Sequence, residues 1–111
     1  MANTFTRKLS RLVGSTAVDV GSYTVGASTT TIVVGLSVTN RTGGAITANV
    51  FIQDVGAANT YIVMNAPVSS GSSLVVGGGD QKLVLLEGDT VYVQSSASSS
   101  LDAVMSIMEI T

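Results

Sequence analysis

From Thr29 to Ile52 the chain alternates apolar and small or polar residues with a period of two. Ile32, Val34, Leu36 and Val38 share one parity, and Val33, Gly35, Ser37 and Thr39 take the other. After Asn40-Arg41-Thr42-Gly43-Gly44, Ile46, Ala48, Val50 and Ile52 share a parity against Thr47, Asn49 and Phe51. Alternation rich in β-branched residues predicts a half-buried strand on each side of the break. Gly43 and Gly44 accept positive φ without steric cost, so the break predicts a tight hairpin turn between them.

The same signal recurs along the chain. Thr16–Val25 reads as a strand interrupted at Gly21-Ser22. Val18 and Val20 have one parity and Tyr23 and Val25 the other, which a bulge at Gly21 reconciles. Asp54–Asn59 has the composition of a loop. Thr60–Asn65 is a short strand without clean alternation, which predicts cover on both faces, and Pro67 breaks or edges what surrounds it. Ser69–Ser73 is a polar turn. Leu74-Val75-Val76 and Lys82–Leu86 read as two strands separated by a flexible Gly77-Gly78-Gly79-Asp80 loop. Glu87-Gly88-Asp89 is a turn, and Thr90–Ser95 alternates with Val91 and Val93 inward and Tyr92 and Gln94 outward. After a serine-rich loop, Ala103–Ile110 is mostly apolar on both parities. That predicts a strand inside the sandwich or against a partner, with a helix as the competing reading.

About eight short strands with regular turns predict an all-β fold. The expected architecture is two antiparallel sheets packed face to face, a β-sandwich of the Greek-key or jelly-roll kind. The expected organisation is an N-terminal arm over residues 1–14 and the sandwich over 15–111. The arm carries Arg7, Lys8 and Arg11, three of the five basic residues, and no acid. Phe5, Leu9, Leu12 and Val13 are spaced roughly as a helical stripe, but a helix this short is marginal in water. A frayed terminus or first edge strand stands beside an arm that contacts a partner, with Arg7, Lys8 and Arg11 as its candidate contacts.

Composition sharpens the picture. Charged residues are 11% of the 111, where an ordinary soluble domain has roughly 25%. So sparse a charge favours burial of surface against other subunits over a lone monomer solubilised by hydroxyls. The net charge of −2 gives no general attraction to nucleic acid. The start MANTFTRKLSRL lacks the apolar core of a secretory signal, and no run of about 18 apolar residues predicts a membrane span. Asn40-Arg41-Thr42 matches a glycosylation sequon and is read as a turn.

Little in the chain carries chemistry. It has no Cys, His or Trp, so thiolate sites, the commonest general base and the largest interface anchor are all missing. Asp54, Asp80, Glu87 and Asp89 fall in predicted loops or turns, where carboxylates accept from nearby backbone N–H groups. Residues 77–82 lack phosphate-loop spacing, and no G-x-S-x-G elbow occurs. No catalytic, cofactor-binding or metal residue is expected. Phe51 and Tyr92, on outward parities, are candidate contacts for an oligomer interface or, less favoured, for a glycan.

Three stretches then carry a family resemblance: TTTIVVGLSVTNRTGGAITANVFI, YIVMNAPVSSGSSLVV and QKLVLLEGDTVYVQSSASSSLDAVMSIMEI. Together they resemble small accessory virion proteins of tailed bacteriophages over roughly residues 20–111. The weight lies in the order of "GLSVTN", "NAPV…GSSL", the expected hairpin "LEGDTVYVQSSA" and the terminal "SIMEI". The resemblance implies a non-enzymatic structural subunit, assembled in the host cytoplasm and resident in the virion. Its partners would be copies of itself and other virion proteins, in the neck, tail or fibre-attachment region, or on the head as a decoration (cement) protein. A carbohydrate-binding sandwich is a further alternative.

Overall fold

The computed structural model describes residues 3–111, with the backbone alone for residues 78–81. Its eight strands are β1 (Asn3–Val13), β2 (Val18–Thr24), β3 (Thr30–Asn40), β4 (Ile46–Gln53), β5 (Asn59–Val68), β6 (Ser73–Leu85), β7 (Thr90–Ser95) and β8 (Leu101–Ile110). They form two four-stranded sheets, β1-β8-β3-β6 and β2-β7-β4-β5, with every neighbouring pair antiparallel. Only β4 and β5 are joined within one sheet; every other connection passes between the sheets. That is the double Greek key of a jelly roll, the sandwich expected from the strand count.

The core lies between the sheets. Val33, Leu36, Val38, Met105 and Ile107 face inward from one sheet and Val20, Val50, Val91 and Val93 from the other. Ile46, Ala48 and Val50 keep the inward parity read from the sequence, with Ile52 packed partly against the same core. The expected bulge in β2 is present. The register with β7 shifts between Asp19 and Thr24, Gly21 and Ser22 have positive φ, and Val20, Tyr23 and Val25 are all buried.

Several expectations are corrected. The Asn40–Gly44 break is not a hairpin, because β3 and β4 lie in different sheets. Neither Gly43 nor Gly44 has positive φ. The chain instead turns a corner around buried Asn40. Asn40 Nδ2 donates to the carbonyls of Gly44 (2.7 Å) and Val68 (3.0 Å), while its Oδ1 accepts from Thr42 N (2.8 Å) and Thr42 Oγ1 (2.7 Å). The turn at Glu87-Gly88-Asp89 likewise joins β6 to β7 across the sandwich, so LEGDTVYVQSSA is not a hairpin either.

Parity in β3 also differs. Val33 and Gly35 pair with Ile107 and Ser106, leaving Val34 as an extra residue. This bulge exchanges the faces midway, so Thr31 and Val33 point inward before it and Leu36 and Val38 after it. Ile32 therefore faces outward. The 74–76 segment and residues 82–85 of the 82–86 segment belong to one strand, β6, which runs through the glycines rather than breaking into a loop and ends before Leu86. Asn59–Val68 is an edge strand, with Met64 exposed, rather than a strand covered on both faces; edge position is what admits Pro67.

The segment expected as an arm is, over its described residues, strand β1. It pairs with β8 from Asn3↔Ile110 to Val13↔Leu101. Its outward residues alternate as in a strand, and no helical stripe forms. A bulge between Ser10 and Val13, with Leu12 at φ 56°, turns Val13 into the core. The 103–110 segment is a strand, as expected, flanked by β1 and β3.

Candidate functional site

Directly opposed residues of an antiparallel pair share a face, so the register defines what the β1-β8-β3-β6 sheet shows to solvent. Phe5 opposes Met108, Met108 opposes Ile32 and Ile32 opposes Val84. These four side chains form an apolar row across the whole sheet, with Phe5 72% and Val84 59% exposed. A second row runs Leu9, Val104, Ser37, Val75, with Val75 73% exposed. Between the rows lie Arg7, Ser106 and Gly35. Two hollows sit along β1 and β8. One, of about 440 Å³, is lined by Phe5, Arg7, Val34 and Ser106, and the other, of about 360 Å³, by Leu9, Arg11, Arg41 and Asp102.

The three basic residues of β1 do not form one patch. Arg7 stands on the outer face among the apolar rows. Lys8 has the opposite parity and holds its Nζ 5.0 Å from the centre of the Tyr23 ring. Arg11 is exposed beside the Arg41–Asp102 ion pair, whose 3.5 Å contact on the surface contributes little stability.

Phe51 and Tyr92 do come together, on the outer face of the other sheet. Their rings stack with centroids 5.3 Å apart, and Tyr61 packs on Phe51 from the far side at 4.9 Å. The cluster spans β5, β4 and β7, since Phe51 opposes both Tyr61 and Tyr92. Phe51 is only 5% exposed. Its two neighbours pack against its ring, so Tyr61, 40% exposed, and half-buried Tyr92 are the more accessible members of the cluster.

The loop carboxylates behave as turn residues. Asp54 accepts from Gly56 N and Ala58 N, Glu87 from Ser28 N, and Asp89 from Leu86 N. The Asp80 side chain lies outside the described residues. Among the described residues no group of His, Cys, Asp or Glu is placed to hold a metal ion. Among the described residues, the Tyr23 hydroxyl has a shifted pKa. Burial pushes the Tyr23 hydroxyl above 10.0; a hydrogen bond from Thr31 opposes the shift, and the bond to Glu109 and its charge add to it.

The exposed apolar rows were not anticipated in the sequence, because Ile32 carries the inward parity until the Val34 bulge is known. The usable signal was the apolar outer parity of β8.

No protein-family model matches the chain, and no curated protein matches it. Solved structures do. A pilus protein of Bacillus endospore appendages has 16% identity and a TM-score of 0.58 over 99% of this chain and 87% of that one. A protein in the structure of infectious bursal disease virus, Gx strain, has 10% identity and a TM-score of 0.56 over 96% of this chain. The chain spans about a third of that viral protein, 32% of its length. The nucleoplasmin-like N-terminal domain of Drosophila FKBP39 has 11% identity and a TM-score of 0.50 over 98% of this chain and 92% of that domain. What these proteins share with the chain is its fold.

Proposed function

We propose that the protein is a non-enzymatic structural subunit of a tailed-phage virion, packing against copies of itself and other virion proteins. The observation that carries this reading is the pair of solvent-facing apolar rows on the β1-β8-β3-β6 sheet. Contiguous exposed apolar surface of this kind marks a face built to be covered. The sparse charge of the sequence agrees, since charged residues are depleted in the cores of interfaces. The virion assignment draws on the sequence resemblance. Two fold neighbours come from a family of disulfide-linked pili and from a virus, which fits the same class. Within the virion we favour the neck, tail or fibre-attachment region over head decoration. Arg7 and Arg11 are proposed contacts to neighbouring subunits, with Lys8 held closer to the body of the sandwich. Phe51 and Tyr92 are proposed to stiffen a second contact face.

Mass spectrometry of purified particles from the phage that encodes this chain tests the proposal. The chain should be present at a fixed copy number per particle and survive washing in high salt. Its absence from intact particles would overturn the virion reading. Glycan binding is the second reading, motivated by the Tyr61–Phe51–Tyr92 cluster. It predicts saturable binding on a glycan array that is lost in Tyr92→Ala, and no binding at millimolar sugar would retire it.

A further inference from the structure

We propose that the outer face of the β1-β8-β3-β6 sheet docks a second copy of this chain, sheet face to sheet face, about a two-fold axis running along the strands between β8 and β3. The inference rests on the reading of the protein as an assembling subunit and assigns that assembly a surface.

Three observations favour a second copy as occupant. The first is area. Four strands about 4.8 Å apart and about ten residues long at ~3.3 Å per residue give a flat footprint of roughly 600 Å², and side-chain relief brings this toward the ~800 Å² that each partner of a standard interface buries. The second is self-complementarity. Each apolar row runs from a large side chain on β1 to a small one on β6: Phe5 to Val84, and Leu9 to Val75. A two-fold axis along the strands reverses strand order at constant height. It sets Phe5 against the partner copy's β6 edge at Val84 and Met108 against Ile32, so large side chains meet small ones and the spacing between sheets stays even. An isologous contact of this kind uses the same patch on both subunits and closes without leaving a free copy of the patch. The third is the distribution of exposed apolar surface. Of the ten large hydrophobic residues exposed among the described residues, five lie in these two rows: Phe5, Leu9, Val75, Val84 and Val104.

The chain has no cysteine, so one introduced thiol reports its own surroundings. Val84→Cys places it on the proposed face, and Met64→Cys, on exposed β5 of the other sheet, serves as control. Maleimide labelling is followed at low and high protein concentration, with native mass measured on the wild type and on Val84→Glu. The expected result is that labelling of Val84→Cys slows about tenfold or more at the concentration where the wild type is dimeric or larger, while Met64→Cys is unaffected. Val84→Glu should lose the copy-to-copy contact and keep its thermal transition. If the wild type associates but both thiols label equally fast and Val84→Glu associates normally, another surface is used; this inference falls and the assembly reading stands. If the wild type is a single copy at every concentration, self-association itself fails, and the inference with it.

Discussion

The Tyr23 hydroxyl donates a hydrogen bond to Glu109 Oε2 at 2.9 Å, tying β2 of one sheet to β8 of the other across 86 residues of sequence. The same oxygen lies 2.6 Å from Thr31 Oγ1, and Thr31 opposes Glu109 in the β3–β8 register. The phenol thus closes the end of the sandwich nearest the 25–29 loop with a polar knot.

Tyr23→Phe removes that knot and leaves the buried Thr31 hydroxyl without its phenolic partner. A loss of about 1–2 kcal/mol is expected in chemical denaturation. The variant also separates the pH behaviour. Because the folded-state pKa of Tyr23 is raised, its stabilising contribution is complete below the ordinary value of 10.0 and falls as pH rises through the folded pKa. Wild-type stability should therefore decline in alkaline solution above about pH 10 more steeply than that of Tyr23→Phe. Parallel curves would rule this out.

Asn40 uses both ends of its amide to hold the corner between β3 and β4. Asn40→Leu leaves the Val68 carbonyl and the Thr42 amide unsatisfied, for an expected cost of about 2–4 kcal/mol in thermal or urea unfolding. Asn40→Asp should be comparably damaging, because it turns a donor facing two carbonyls into an acceptor. The engagement of the whole amide also explains why the sequon works as a turn.

Gly21 lets β2 approach β1. Its φ is 61°, and a Cβ there would lie 2.6 Å from Lys8 Cβ and 3.1 Å from Leu9 N. Gly21→Ala should cost at least about 1–2 kcal/mol from the left-handed backbone alone. It should also speed hydrogen exchange in β1 more than in β4, where no contact changes.

Leu12 adopts φ 56° with half its surface exposed, a conformation that disfavours a branched side chain. Its amide is held by Asp102 Oδ1 at 3.0 Å. Leu12→Asn keeps that bond and tolerates the backbone, so a gain of up to about 1 kcal/mol in stability is expected by thermal unfolding.

Strands β3, β4 and β7 were legible from alternation, and the sandwich from the number of strands and turns. Val91, Val93, Ile46, Ala48 and Val50 needed only period two to be placed. The jelly-roll connectivity was not legible, because a turn such as Asn40–Gly44 has the same composition whether it joins partners in one sheet or crosses between sheets. What decides is the buried Asn40 amide and its bond to Val68, 28 residues away. The candidate face was hidden by a single inserted residue. Val34 has the ordinary strand propensity of valine, and only the pairing with β8 shows that it is surplus. The Gly21 bulge was legible because the two parities on either side of it conflicted openly. The glycines of β6 misled for the opposite reason: local propensity reads loop, while pairing with β3 holds a strand.

The most direct test of the central claim, that the outer face of the β1-β8-β3-β6 sheet is covered by association, is small-angle X-ray scattering over a dilution series. A single copy has a Cα radius of gyration of 13.5 Å. The wild type should show a larger radius at high concentration, falling toward the single-copy value on dilution, and Val84→Glu a single-copy radius throughout. A wild-type radius that stays at the single-copy value at every concentration would contradict it.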